Sequence, residues 1–187
     1  NEATAILTGD ALLTFAFEVL ASEINDAQVS SKLIVTLARA AGAAGMIAGQ
    51  QADIAGENSD GGIEMLEYIH INKTAKMFEA SAVMGAICAN ADTEQISTMR
   101  EYGRNIGLGF QVADDLLDIS AESEHLGKTA GKDQIQGKIT YPSVIGSEKS
   151  QVVAKSLADK AVKALQAMDE RADILRQLPI EMLSRTK

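Results

Sequence analysis

The stretch Ile106-Gly107-Leu108-Gly109-Phe110-Gln111-Val112-Ala113-Asp114-Asp115-Leu116-Leu117-Asp118 sets three carboxylates and one amide in a run that is otherwise apolar or glycine. Its apolar residues recur at helical spacing, without strand alternation. At about 100° per residue, with Asp114 as zero, Asp118 falls near 40°, Gln111 near 60° and Asp115 near 100°. Four polar groups therefore share one face of a helix, and Val112, Leu116 and Leu117 point elsewhere. Carboxylates that close repel one another unless solvent or a cation offsets the charge. Hard divalent cations take oxygen ligands, and Mg²⁺ binds through one or two carboxylates plus substrate phosphates. A solvated acidic face is the other reading of the DDxxD pattern, but such a face usually mixes in Lys or Ser. Gly103 and Gly107 lie near the same face, one and two turns earlier. They leave room for a ligand or for a closely packed helix, and the residues alone do not choose between the two.

Working outward, period-3.6 patterning recurs along almost the whole chain, so the expected fold is all-α, a single antiparallel helix bundle over residues 1–187. A first helix is expected over residues 3–21, with Ile6, Leu7, Leu13, Phe17 and Leu20 buried. A second is expected over 29–54, a short third over 63–71 and a fourth over 73–89. The fifth starts where Asp92 can cap and Gln95 can complete a capping box, and it runs to about residue 119. Residues 120–140 hold Gly127, Gly131 and Gly137 with Lys128, Lys132 and Lys138, and read as a mobile, cation-bearing loop. Pro142 opens a further helix as a first-turn proline, and two more helices follow at about 148–168 and 171–184.

Composition bounds the function. With 187 residues, 46% of them hydrophobic, the chain can bury one substantial core. A net charge of −9 without any basic run argues against nucleic acid as a partner. A small anionic ligand remains open if divalent metal screens it. Cys88 sits alone in the apolar run 82–89 and is expected to be a buried thiol. His70 and His125 are too few and too far apart for a zinc site. No apolar stretch is expected to reach the ~20 residues that span a bilayer, and no signal-like segment is seen; the expected location is cytoplasmic, with a plastid or other organelle left open.

Three further segments stand out. Ala38, Gly42, Gly45 and Gly49 form a small-residue stripe that permits close approach of another helix, with Gln50 and Asp53 beyond it either capping the helix or facing a site. Lys73-Thr74 lies at a helix junction, where an ammonium and a hydroxyl can meet phosphate oxygens. Gly127-Lys128-Thr129-Ala130-Gly131-Lys132-Asp133, followed by Gly137-Lys138, is not a Walker A loop, because Asp133 stands where Ser or Thr is required and no strand precedes it.

In this order, these segments resemble the trans-isoprenyl (all-E polyprenyl) diphosphate synthases. Ile106 to Asp118 has the form of their second aspartate-rich motif. Glu2-Ala3-Thr4-Ala5-Ile6-Leu7 with Gly9-Asp10-Ala11-Leu12 is similar to the helix after their first one, and Thr140-Tyr141-Pro142 is also family-like. The resemblance implies a central substrate cavity and a transferase that condenses an allylic prenyl diphosphate with isopentenyl diphosphate. It implies Mg²⁺ held by Asp114, Asp115 and Asp118, with Asp114 the best candidate for a direct ligand. It implies Lys73, Thr74, Gln111 and Lys128 as catalytic contacts to the allylic diphosphate, Lys138 as a further substrate-binding lysine, and a homodimer.

The family's first aspartate-rich motif and many of its isopentenyl diphosphate contacts have no counterpart in these residues. The chain therefore resembles the C-terminal two-thirds of a synthase, of farnesyl or geranylgeranyl type. An apolar surface is expected to stand uncovered where N-terminal helices would pack. Two other readings are a noncatalytic partner subunit of a heteromeric synthase, against which the intact aspartate triad argues, and a terpene cyclase-like relative. Lys73-Thr74 and residues 127–133 argue against the cyclase.

Overall fold

The structure, a computed structural model, describes residues 1–57, 59, 61–124 and 138–184. Every regular element among them is helical. They are α1 (Glu2–Ser22), α2 (Ala27–Ala41), α3 (Met46–Gly56), α4 (Ile63–His70), a π-turn (Ile71–Ala75), α5 (Lys76–Cys88), α6 (Thr93–Glu124), α7 (Tyr141–Ile145), α8 (Ser147–Ala164), a 3₁₀ turn (Glu170–Ala172) and α9 (Asp173–Ser184).

Local chemistry explains the starts. Asp26 accepts the Gln28 and Val29 amides at the head of α2. Asp92 and Gln95 form the expected reciprocal box before α6, at 3.0 and 2.8 Å. Thr140 and Ser143 build a second box around Pro142 at the head of α7.

α6 is the axis of the fold, with α5 against one flank and α8 against another. Gly103 and Gly107 decide the first contact: a Cβ on either would stand 2.7 Å from a backbone Cα, of Glu79 and Ala75 respectively. Helix packing is therefore what these glycines serve. On the other flank Val112 is buried with Leu66, Tyr141, Ala154 and Leu157. Below it Tyr102, Ile106, Ala161 and Leu165 form a second cluster, and the Tyr102 hydroxyl donates to the Leu175 carbonyl at 2.9 Å. Large apolar side chains buried this fully contribute about 1.5–3 kcal/mol each.

Several expectations need correction. The helix expected over 29–54 is two helices, because Gly42 leaves α2 in extended backbone and a turn through residues 43–45 precedes α3. A Cβ on Gly45 would lie 2.0 Å from the Ala40 carbonyl oxygen, so glycine is what permits this break. α6 continues through Glu124, past residue 119. The cation-bearing loop, with Lys128, Lys132 and Asp133, lies outside the described residues from 125 to 137.

α1 buries none of its residues. Of the five side chains expected inside, Phe17 and Leu20 are half-buried, while Ile6, Leu7 and Leu13 are exposed. The pattern marks a face to be covered, but α1 packs chiefly on α2, with Ser30 donating to the Leu20 carbonyl. An apolar surface stands uncovered here, as expected. Cys88 is exposed rather than buried, since with Ser81 and Gly85 it lies on the stripe of α5 that no described element covers. By length and composition two segments, Glu2–Ser22 and Ala27–Gly56, are long and apolar enough to cross a membrane, which corrects the expectation that none is.

Candidate functional site

A polar pocket forms where α3, α4, the π-turn, α6 and the approach to α7 converge. Asp53, His70, Lys73, Gln111, Asp115 and Lys138 all line it. Its construction begins with backbone. The Lys76 amide reaches back to the Ile71 carbonyl, and this five-residue spacing makes a π-turn of Ile-Asn-Lys-Thr-Ala. Such bulges recur at functional sites because they re-aim side chains within a helix. Asn72 helps hold the turn by donating to the Tyr68 carbonyl at 2.7 Å. Gly49 of α3 lies directly against it, where a Cβ would meet the Lys73 nitrogen at 2.1 Å. That approach brings Asp53, one turn further along α3, to the Lys73 ammonium at 2.6 Å.

Thr74 points the other way and donates to the Gln111 carbonyl oxygen at 2.9 Å. The Gln111 amide nitrogen then donates to Asp115 Oδ1 at 3.3 Å. Asp115 Oδ2 accepts the Tyr141 amide at 2.9 Å, with His70 Nε2 3.6 Å away. The His70 ring lies beside that of Tyr141, centroids 5.4 Å apart. A continuous polar chain thus runs from the π-turn through α6 to the first turn of α7.

The three aspartates of α6 do not share one environment. Asp115 is buried, only 3% exposed, and turned inward. Asp114 is exposed and Asp118 half-buried, and neither lines the polar pocket. The helical face shared by Asp114, Asp118 and Gln111 is divided at this pocket: Gln111 lines it, and the two aspartates stand outside it. The wheel was right that Asp115 sits about 60° further round from Asp118, and the packing of α4 and α7 turns that offset into a boundary between inside and outside.

Among the described residues no three acidic, imidazole or thiol groups converge as a metal site. Asp114 and Asp118, on successive turns of α6 outside the pocket, are hard oxygen donors of the number that Mg²⁺ takes from protein when phosphates complete its shell. Asp115, engaged by Tyr141 and Gln111, does not fit that donor set. Lys128 lies outside the described residues.

Sequence reading passed over His70 as chemistry and left Asp53 open. The only available signal was spacing, since His70 precedes Lys73 by three residues. Burial first, then the Lys73 charge, push the His70 pKa down to about 4, against the opposing pull of Asp53. The folded chain thus holds His70 neutral, while an unfolded histidine takes a proton near pH 6.5. The associated stability is complete above about pH 6.5 and is lost as pH falls to about 4, roughly 3 kcal/mol across that window. Denaturant titrations at pH 7 and pH 4.5 should show this loss in the wild type and a smaller one in His70→Gln. Equal losses in both would remove His70 as the cause.

The family model described as polyprenyl synthetase matches residues 1–178. The chain belongs to the polyprenyl synthetase family. Within it, a chloroplastic geranylgeranyl pyrophosphate synthase of Catharanthus roseus is 47% identical over 174 residues, 90% of this chain and 48% of that protein. A chloroplastic heterodimeric geranylgeranyl pyrophosphate synthase large subunit of Arabidopsis thaliana is 47% identical over 176 residues, covering 90% and 47%. This polyprenyl synthetase chain therefore spans about half the length of the curated relatives it matches. Among solved structures, a Caulobacter crescentus polyprenyl synthase complexed with calcium and isoprenyl diphosphate superposes with a TM-score of 0.87 at 27% identity, covering 99% of this chain and 67% of that one. A Helicobacter pylori geranyltransferase complexed with magnesium and isoprenyl diphosphate has a TM-score of 0.82 at 32% identity, covering 98% and 60%. The fold is thus the all-α bundle of the isoprenyl diphosphate synthases, as the residues predicted.

Proposed function

We propose that these residues form the allylic-diphosphate half of a Mg²⁺-dependent prenyltransferase, one that joins an allylic prenyl diphosphate to isopentenyl diphosphate and makes a short-chain product of geranylgeranyl or farnesyl type. The observation that carries the reading is the clustering of Lys73, Thr74 and Gln111 by the π-turn, one helical turn from Asp114. The sequence similarity to geranylgeranyl pyrophosphate synthases supports the longer of the two products.

In this reading the Lys73 ammonium, steadied by Asp53, and one amide hydrogen of Gln111 bind diphosphate oxygens. Thr74 holds Gln111 in place, and Lys138 reaches the same oxygens from across the pocket. Lys128 is assigned to them by resemblance. Asp114 and Asp118 hold magnesium, which when bound neutralises charge gathering on the diphosphate. The allylic C–O bond breaks with its electron pair leaving on the diphosphate, the isopentenyl alkene adds to the allylic carbon, and loss of a proton restores an alkene. Apolar helix faces keep water from the cation. A homodimer is part of the proposal, and a plastid stands beside the cytoplasm as its location because the named relatives are chloroplastic.

One acidic helix supplies half of what two diphosphates need, and the lysines here gather at one of them. The reading therefore requires a second acidic helix, from upstream residues or from another polypeptide, and the exposed apolar residues of α1 are where it can pack. Intact mass and a condensation assay on one preparation test this. A polypeptide of these 187 residues alone should give no product. Full activity from that mass, without a partner, would show the two-helix account to be wrong.

A further inference from the structure

We propose that Asp115, the middle carboxylate of the aspartate-rich motif, is a positioning residue that anchors α7 and orients Gln111, and that it gives no ligand to metal. The proposal rests on the prenyltransferase reading for the reaction it serves, but its geometry stands independently. The Asp115 carboxylate is 3% exposed and buried between α6 and the first turn of α7. One oxygen accepts the Tyr141 amide at 2.9 Å, and the other accepts the Gln111 amide nitrogen at 3.3 Å. Hydrogen bonds to an ionised carboxylate are about twice as strong as neutral ones. Turning either oxygen toward a cation beside Asp114 would leave a buried donor unsatisfied.

Two consequences follow for neighbouring groups. The Tyr141 bond fixes the start of α7 and, through it, the Lys138-Ile139-Thr140 segment, so it sets where Lys138 stands along the pocket wall. The Gln111 bond fixes which end of the amide faces which way. With its nitrogen on Asp115, Gln111 presents its oxygen to the Thr74 hydroxyl at 2.9 Å. Thr74 then spends its one proton on Gln111, and the second amide hydrogen of Gln111 is the donor available to a diphosphate oxygen. Asp115 thereby decides that Gln111, and not Thr74, is the donor.

The nearly isosteric Asp115→Asn, compared with Asp114→Asn, tests this in the condensing enzyme, in which a second acidic helix completes these residues. The readouts are turnover, the Mg²⁺ concentration for half-maximal activity, and hydrogen exchange at the Tyr141 amide. Asp115→Asn should lower turnover and speed Tyr141 exchange about tenfold, with the Mg²⁺ requirement within about twofold of wild type. Asp114→Asn should raise the Mg²⁺ requirement and leave Tyr141 exchange unchanged. A Mg²⁺ requirement raised equally in both variants, with Tyr141 exchange unchanged in Asp115→Asn, would overturn the proposal. Wild-type protein gives a second measurement that no folding defect can spoil. Adding Mg²⁺ with inorganic pyrophosphate should leave Tyr141 protected, whereas faster exchange on addition would mean Asp115 had turned to the metal. Should the wild type condense no prenyl diphosphates even when completed by the second acidic helix, the prenyltransferase reading fails, and the pyrophosphate arm still decides the role of Asp115.

Discussion

In a complete condensing enzyme, Asp114→Ala is expected to cut turnover about 10²–10³-fold, the usual cost of removing one group that stabilises transition-state charge, while folding stability stays within about 0.5 kcal/mol of wild type. The asymmetry follows from position. Asp114 is exposed on α6, so its removal opens no cavity, and it relieves repulsion from Asp115 and Asp118. Turnover at saturating and limiting Mg²⁺, alongside thermal denaturation, separates the two quantities. A folded variant with wild-type turnover at limiting Mg²⁺ would refute Asp114 as a metal-holding group.

Gly49→Ala is expected to do the reverse and damage both. Its new Cβ would stand 2.1 Å from the Lys73 nitrogen and 2.6 Å from the Lys73 Cα. Those atoms are backbone, held in the π-turn, so no side chain can swing aside. Either α3 withdraws or the turn deforms, at a cost near the upper end of the 1–3 kcal/mol typical of overpacking. The same shift parts Lys73 from Asp53, now at 2.6 Å, and a displacement of about 1 Å at a reacting group can lower rate on the order of 10²-fold. Denaturant unfolding and turnover of one preparation measure both losses. Stability unchanged from wild type would mean that α3 and the turn are not in rigid contact.

Much of this was legible in the residues. Helical periodicity alone predicted an all-α chain, and the ordered motifs predicted the family. The Asp92–Gln95 box and the proline-led helix at 142 were readable because a cap is a contact between residues three apart, whatever the rest of the fold does. The spacing of Gln111 and Asp115 was equally local. The side chains whose burial was misread share one cause. Ile6, Leu7, Leu13 and Cys88 have the side chains of buried residues, and they are exposed because no described element covers them.

The helical wheel could place Asp114, Asp115 and Asp118 within about 100° of one another, because angular position depends only on residue count. It could not say which of them would be enclosed. That was decided by α4 and α7 closing over one edge of α6, which put Asp115 against the Tyr141 amide and left Asp114 outside. The π-turn that aims Lys73 and Thr74 in different directions was invisible for a related reason. A bulge is held by the helices packed around it, here by Gly49 pressed against Lys73, and no spacing within Ile71–Ala75 announces it. The sequence by itself determined which side chains lie on which helical face, since that is set by bonds between near neighbours. Only the tertiary structure determined which faces are covered, and so which carboxylate is enclosed against α7 and which stands exposed, because burial depends on residues far away in the chain.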